Sequence, residues 1–130
     1  MAGVVHIQWY ATLFRGDSLA NGIVDWAGPA SMRYGATQYT VQRSQDDRYR
    51  ILQAVWFDSK DDWYRYWEGR EMAEFRARFT GKYQIPIVYV WHDELASDGL
   101  PSSDALHSPA QLLRLSGPED SDPDPAPQAA

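Results

Sequence analysis

The chain has 130 residues, a formal net charge of −6 and no cysteine, and its 6 Trp, 8 Tyr and 4 Phe all lie at or before Trp91. That length allows one domain or one domain with a tail, and the absence of cysteine excludes disulfides and thiolate chemistry. The charge excludes a nucleic-acid surface, where affinity comes from Lys and Arg neutralising phosphates.

The chain divides by composition. Residues 1–95 hold every large ring and carry a net charge near zero. Residues 96–130 are rich in Ser, Asp, Pro and Ala, carry six of the eight prolines, and are acidic. A segment so rich in rings buries enough apolar surface to offset chain entropy, and the tail does not. The expected organisation is a globular domain over 1–95 and a disordered acidic tail over 96–130. A short apolar patch at 105–115 is a candidate docking segment for a protein partner. Truncation after Ala96 is expected to leave the melting temperature nearly unchanged in a thermal melt; a large drop would show that the tail packs on the core.

Val4–Phe14 alternates, with Val5, Ile7, Trp9, Ala11 and Leu13 on one face and His6, Gln8, Tyr10 and Thr12 on the other. Period two predicts a strand with one strongly apolar face. It also lacks the basic start and small-residue cleavage site of a signal peptide. Asp17 or Ser18 is the predicted cap of a helix over 18–33, with Leu19, Ile23, Trp26, Ala27 and Ala30 at helical spacing, bent near Pro29 and stopped by Gly35. Ala36–Ser44 and Tyr49–Phe57 predict two strands of a hairpin around the polar turn Ser44-Gln45-Asp46-Asp47.

Ser59 is the predicted cap of a second helix, with Asp61 and Asp62 at its positive end. Trp63, Tyr66, Trp67, Met72, Phe75 and Phe79 form its apolar stripe, Gly69 weakens its middle, and Gly81 ends it. Tyr83–Trp91 predicts a last strand, and Pro86 within it predicts a sheet edge. No apolar run approaches the ~18 residues of a membrane span, so the chain is expected to be cytoplasmic. The order β-α-β-β-α-β predicts an α+β, ferredoxin-like fold: a four-stranded antiparallel sheet with two helices on one face. The other face needs a cover, and a second copy provides one, as a two-fold homodimer with sheets face to face.

The segment VVHIQW, then Phe57-Asp58-Ser59, then DDWYRYWEG followed by EMAEF, resembles the antibiotic-biosynthesis-monooxygenase-like proteins of the dimeric α/β barrel superfamily. The resemblance covers about residues 3–95. It implies a pocket between helices and sheet, and one of several activities: cofactor-independent quinone-forming oxygenation, haem breakdown, or isomerisation. Haem-degrading members carry an Asn where this chain has Gln8, and an axial His where it has Phe75. Phe cannot ligate iron, so that mechanism is not expected. The helical Asn of quinone-forming members falls at Trp63 here.

Gln8 is then the candidate polar anchor, since an amide offers a ligand both a donor and an acceptor. His6 and Tyr10 share its face and are the candidate proton-moving groups. Trp63, Tyr66, Trp67 and Phe75 are the candidate binding residues for a flat aromatic or enolisable compound. Each has a plainer reading as a packed or solvated side chain. His92-Asp93-Glu94 makes a poor metal site, because consecutive strand residues point to opposite faces, and neither metal nor cofactor is expected. Two functions stay open: a cofactor-independent monooxygenase or isomerase, and a non-catalytic ligand- or protein-binding dimer whose tail docks a partner.

Overall fold

The computed structural model describes residues 2–100. Strand β1 (Gly3–Tyr10) is followed by helix α1 (Gly16–Gly22), a π-helical turn at Ile23–Ala27, and helix α2 (Gly28–Met32). Strands β2 (Ala36–Arg43) and β3 (Arg50–Phe57), helices α3 (Lys60–Glu68) and α4 (Arg70–Arg78), and strand β4 (Val88–Asp93) complete the order. The sheet order is β2-β3-β1-β4, with every pairing antiparallel. This is the expected ferredoxin-like α+β arrangement, with β4 at the expected edge.

Residues Met1–Glu94 form one compact unit, and Leu95–Leu100 contains no helix or strand. The tail expected from residue 96, with its patch at 105–115, lies outside the described residues from 101 onward. No helix among the described residues is long and apolar enough to cross a membrane.

Alternation places Val5, Ile7 and Trp9 of β1 and Ile51, Gln53, Val55 and Phe57 of β3 on one side of the sheet, all nearly inaccessible to solvent. Leu19, Ile23, Ala27 and Ala30 pack onto them from the first helical stretch, and Trp63, Tyr66, Met72 and Phe75 from the second. Each buried Val, Leu, Ile, Met or Phe among them contributes about 1.5–3 kcal/mol through burial, so this face carries much of the stability of the domain.

Several boundaries differ from the sequence reading, each for a local reason. The first helix begins at Gly16 without a side-chain cap. Asp17 instead pairs with Arg43 at 2.8 Å, which ties the helix start to the end of β2. The bend falls one turn before Pro29. Gly28 N–H reaches the Ile23 carbonyl, and Pro29 has no N–H with which to continue the regular ladder. A Cβ on Gly28 would stand 2.5 Å from the Tyr39 ring, so glycine there lets the helix lie close on β2.

Ser59 caps α3 as expected, accepting from Asp62 N–H at 3.3 Å. Gly69 does more than weaken the second helix. It sits in extended backbone and separates α3 from α4. The last strand starts at Val88 rather than Tyr83, which makes only an isolated bridge to Ala11. Leu13 leaves the apolar face altogether and is 68% exposed in the loop after β1.

Candidate functional site

The space between helices and sheet is filled by the protein's own rings. Trp63, Tyr66 and Phe75 are buried, and Trp67 is nearly so. Trp63 stacks on Trp67 with centroids 5.3 Å apart, and Phe75 stacks on Phe79 at 4.5 Å. Trp9 makes a T-shaped contact with Phe75 at 5.6 Å and approaches Trp67 at 5.8 Å.

The polar atoms in this layer are satisfied internally. Trp9 Nε1 donates to Gln53 Oε1 at 3.0 Å, and Gln53 Nε2 donates to the Tyr66 hydroxyl oxygen at 2.8 Å. Tyr66 OH in turn donates to the Ala27 carbonyl in the π turn at 2.5 Å. Burial pushes the Tyr66 hydroxyl far above the ordinary tyrosine value. It therefore stays protonated and is no proton acceptor near neutrality.

Gln8, His6 and Tyr10 stand on the opposite face of the sheet, as the alternation of β1 requires. The structure thus keeps the three polar candidates together and separates them from Trp63, Tyr66, Trp67 and Phe75 by the thickness of the sheet. The expected helix–sheet pocket gives way to a groove of about 700 Å³ on the open face, lined in part by His6, Gln8 and Tyr10. Leu52, Ile85, Pro86 and Val88 give the groove apolar surface, and Gln42 and Gln84 add two more amides. The sequence reading passed over Gln42 and Gln84. The register pairs Gln42 with Leu52 and Leu52 with Gln8 and so puts all three in one row, which alternation within each strand does not fix. Gln84 lies in the irregular approach to β4, where periodicity says nothing.

The groove's polar groups differ in availability. The amides of Gln8 and Gln42 make no side-chain hydrogen bond among the described residues, whereas Gln84 Nε2 makes only a long one, 3.4 Å, to the Ala11 carbonyl. Tyr10 OH donates to Asp47 at 3.1 Å, and this bond raises its pKa, so Tyr10 is a neutral donor. Arg50 lies over the Tyr10 ring at 5.6 Å and pairs with Asp47.

Half-buried His6 has its pKa lowered, first by desolvation and then by the neighbouring His92. A lowered folded-state pKa means that the unfolded chain takes the proton first. Acidification through the ordinary value of 6.5 therefore removes stability, and the native imidazole is neutral above it.

Neither a protein-family model nor a curated protein matches this chain. Solved structures do match. A Nitrosomonas europaea protein provisionally assigned as an antibiotic biosynthesis monooxygenase superposes with a TM-score of 0.65 at 15% identity, over 72% of this chain and 90% of that one. The fold is that of the antibiotic biosynthesis monooxygenases. A similarly assigned Chloroflexus aurantiacus protein gives 0.62 at 17% identity, over 76% of this chain and 98% of that one. A point mutant of SnoaB, a cofactor-independent oxygenase from Streptomyces nogalater, gives 0.61 at 7% identity, over 73% and 94%. The monooxygenase-like fold in this chain thus carries a filled helix layer and an open groove on the far face of the sheet.

Proposed function

We propose that the protein is a homodimer that binds a small, flat, neutral molecule in the groove over Gln8. The observation that carries this reading is the contrast between the two faces: rings fill the helix side, while unpaired amides line a groove on the other. Amides above Leu52, Ile85 and Val88 suit an aromatic or enolisable compound bearing a carbonyl or phenol. Trp63, Tyr66, Trp67 and Phe75 act on this reading through the sheet they support and do not touch the ligand.

The second copy is supported by what the open face exposes. Val88 and Val90 are 48% and 42% exposed there, beside a cluster of Val4, Ala54 and Trp56 that is already buried within the chain. Thr40 Oγ1 on the same face is buried without a hydrogen-bond partner. A second sheet would cover Val88 and Val90 and close the groove. On this reading the role of the acidic tail is to engage a protein partner.

A second reading is favoured by His6. A neutral imidazole at the groove's margin accepts a proton from a phenol or an enolisable CH₂. The resulting carbanion reduces dioxygen directly, so that CH₂ and O₂ become C=O and H₂O without an added reductant. SnoaB, which shares the fold, is an oxygenase of the cofactor-independent kind.

Native mass spectrometry of protein taken from its own host should show a dimer with a bound small molecule. Gln8→Ala should weaken binding of that molecule by about tenfold, the worth of one good hydrogen bond. Unchanged affinity would move the ligand away from Gln8, and a micromolar monomer in sedimentation would remove the cover. Oxygen uptake with anthrones and hydroxyquinols separates the two readings. The oxygenase reading requires turnover that the Gln8→Ala/His6→Ala double mutant loses.

A further inference from the structure

His6 and His92 meet on the open face although they are far apart in sequence. The pairings of Val4 with His92 and of His6 with Val90 put both imidazoles on one side of adjacent strands, as diagonal neighbours. Their ring centroids are 4.7 Å apart and their planes are inclined by 42°. Two imidazoles bound side by side to one ion, at the usual metal–nitrogen distance of about 2.0–2.1 Å, hold their centroids roughly 4.5–5.2 Å apart. The observed spacing falls in that window without any movement of the strands. Neither ring makes a hydrogen bond to another side chain or to the backbone among the described residues, so the ring nitrogens are available.

We propose that His6 and His92 form a two-imidazole chelate for a divalent transition metal ion such as Cu²⁺, Ni²⁺ or Zn²⁺, on the open face of the sheet where His6 meets the groove. Imidazole pairs suit these ions, whereas Ca²⁺ and Mg²⁺ call for oxygen donors. Glu94 brings a carboxylate to the same face, two residues beyond His92, and is held there by Trp56 Nε1, which donates to Glu94 Oε2 at 2.8 Å. Asp93 alternates to the other face. No group of three or more His, Cys, Asp or Glu is assembled as a metal site among the described residues. The ion therefore keeps coordination positions for water, and an open position on a transition metal beside a ligand groove is a place where a phenol or enol oxygen binds.

The inference is independent of the groove reading, which is tested at Gln8. The probe is Cu²⁺ added to the untagged full-length protein at pH 7.5, followed by titration calorimetry and electron paramagnetic resonance. One ion per chain is expected, with the spectrum of a centre bearing two nitrogen ligands. His6→Asn and His92→Asn should each weaken binding roughly tenfold or more and leave a one-nitrogen spectrum. His107→Asn, which removes the remaining histidine, should leave the affinity unchanged. Binding that survives in the first two variants, or that is lost with His107, overturns the proposal. Unchanged far-ultraviolet circular dichroism and melting temperature in metal-free buffer show that the Asn variants are folded. For a variant that fails this check, ligation is read instead from the nitrogen count of the wild-type spectrum, and fewer than two nitrogens overturns the proposal.

Discussion

Gln53→Leu should lower stability by about 2–4 kcal/mol, among the largest costs of any single substitution in this domain. Gln53 is fully buried on the helix side of β3, between Trp9 and Tyr66. Leucine has a similar volume, so little of the loss comes from an empty space. The loss comes from the Trp9 indole N–H, which would stay buried with no acceptor at about 1–3 kcal/mol, and from the donor lost to Tyr66. Tyr66 keeps its bond to the Ala27 carbonyl, which limits the damage at that end.

In a domain of this size the melting temperature should fall by about 10–20 °C. Adding Trp9→Phe to Gln53→Leu removes the orphaned N–H, although it also trims a buried ring. The two substitutions should therefore cost less together than the sum of their separate costs. A thermodynamic cycle over the four proteins measures that difference. Strict additivity would show that the two side chains are not coupled through the bond seen here.

Gln53 also shows where the sequence stops being readable. Alternation is a backbone property, and it located the strands, their faces and the hairpin without any tertiary information; the edge position of β4 was read from Pro86, which lies before the strand rather than within it. Alternation puts Gln53 on the same face as Ile51, Val55 and Phe57. It cannot say that a polar side chain there will find an indole 44 residues away and a phenol 13 residues on. The same limit governs the candidate site. His6, Gln8 and Tyr10 had to share a face, because their spacing is two.

Which face the helices would take depends on three-dimensional packing. The more apolar side of β1 won, leaving the three polar residues on the open side. A helix–sheet pocket was implied by resemblance. The size of the rings at Trp63, Tyr66, Trp67 and Phe75 decides otherwise, because four such side chains fill the layer they enter. The juxtaposition of His6 and His92 depends on the register between β1 and β4, the first and last strands. Register over that separation is set by burial on both faces and has no local signature.

Phe75→Ala should cost about 3–5 kcal/mol, because it opens a hole in the most densely ringed part of the core. The Phe75 ring is fully buried, stacks on Phe79, and makes T-shaped contacts with Trp9 and Trp26 at 5.6 and 5.5 Å. Those neighbours are held by other contacts. Trp9 is fixed through Gln53, and Trp26 also packs on Phe79. The hole should therefore close only in part. An apolar cavity of this kind stays dry and admits a small aromatic molecule, so benzene or indole should raise the melting temperature of Phe75→Ala and leave the wild type unmoved. Gln8→Ala makes the opposite pattern. Gln8 is exposed, so its loss should change stability by less than about 0.5 kcal/mol while weakening ligand binding. If the natural ligand instead bound among the rings, Phe75→Ala would alter its affinity more than Gln8→Ala does. Measuring affinity and melting temperature on both variants assigns the site to one face of the sheet, since no single position on this fold reaches both.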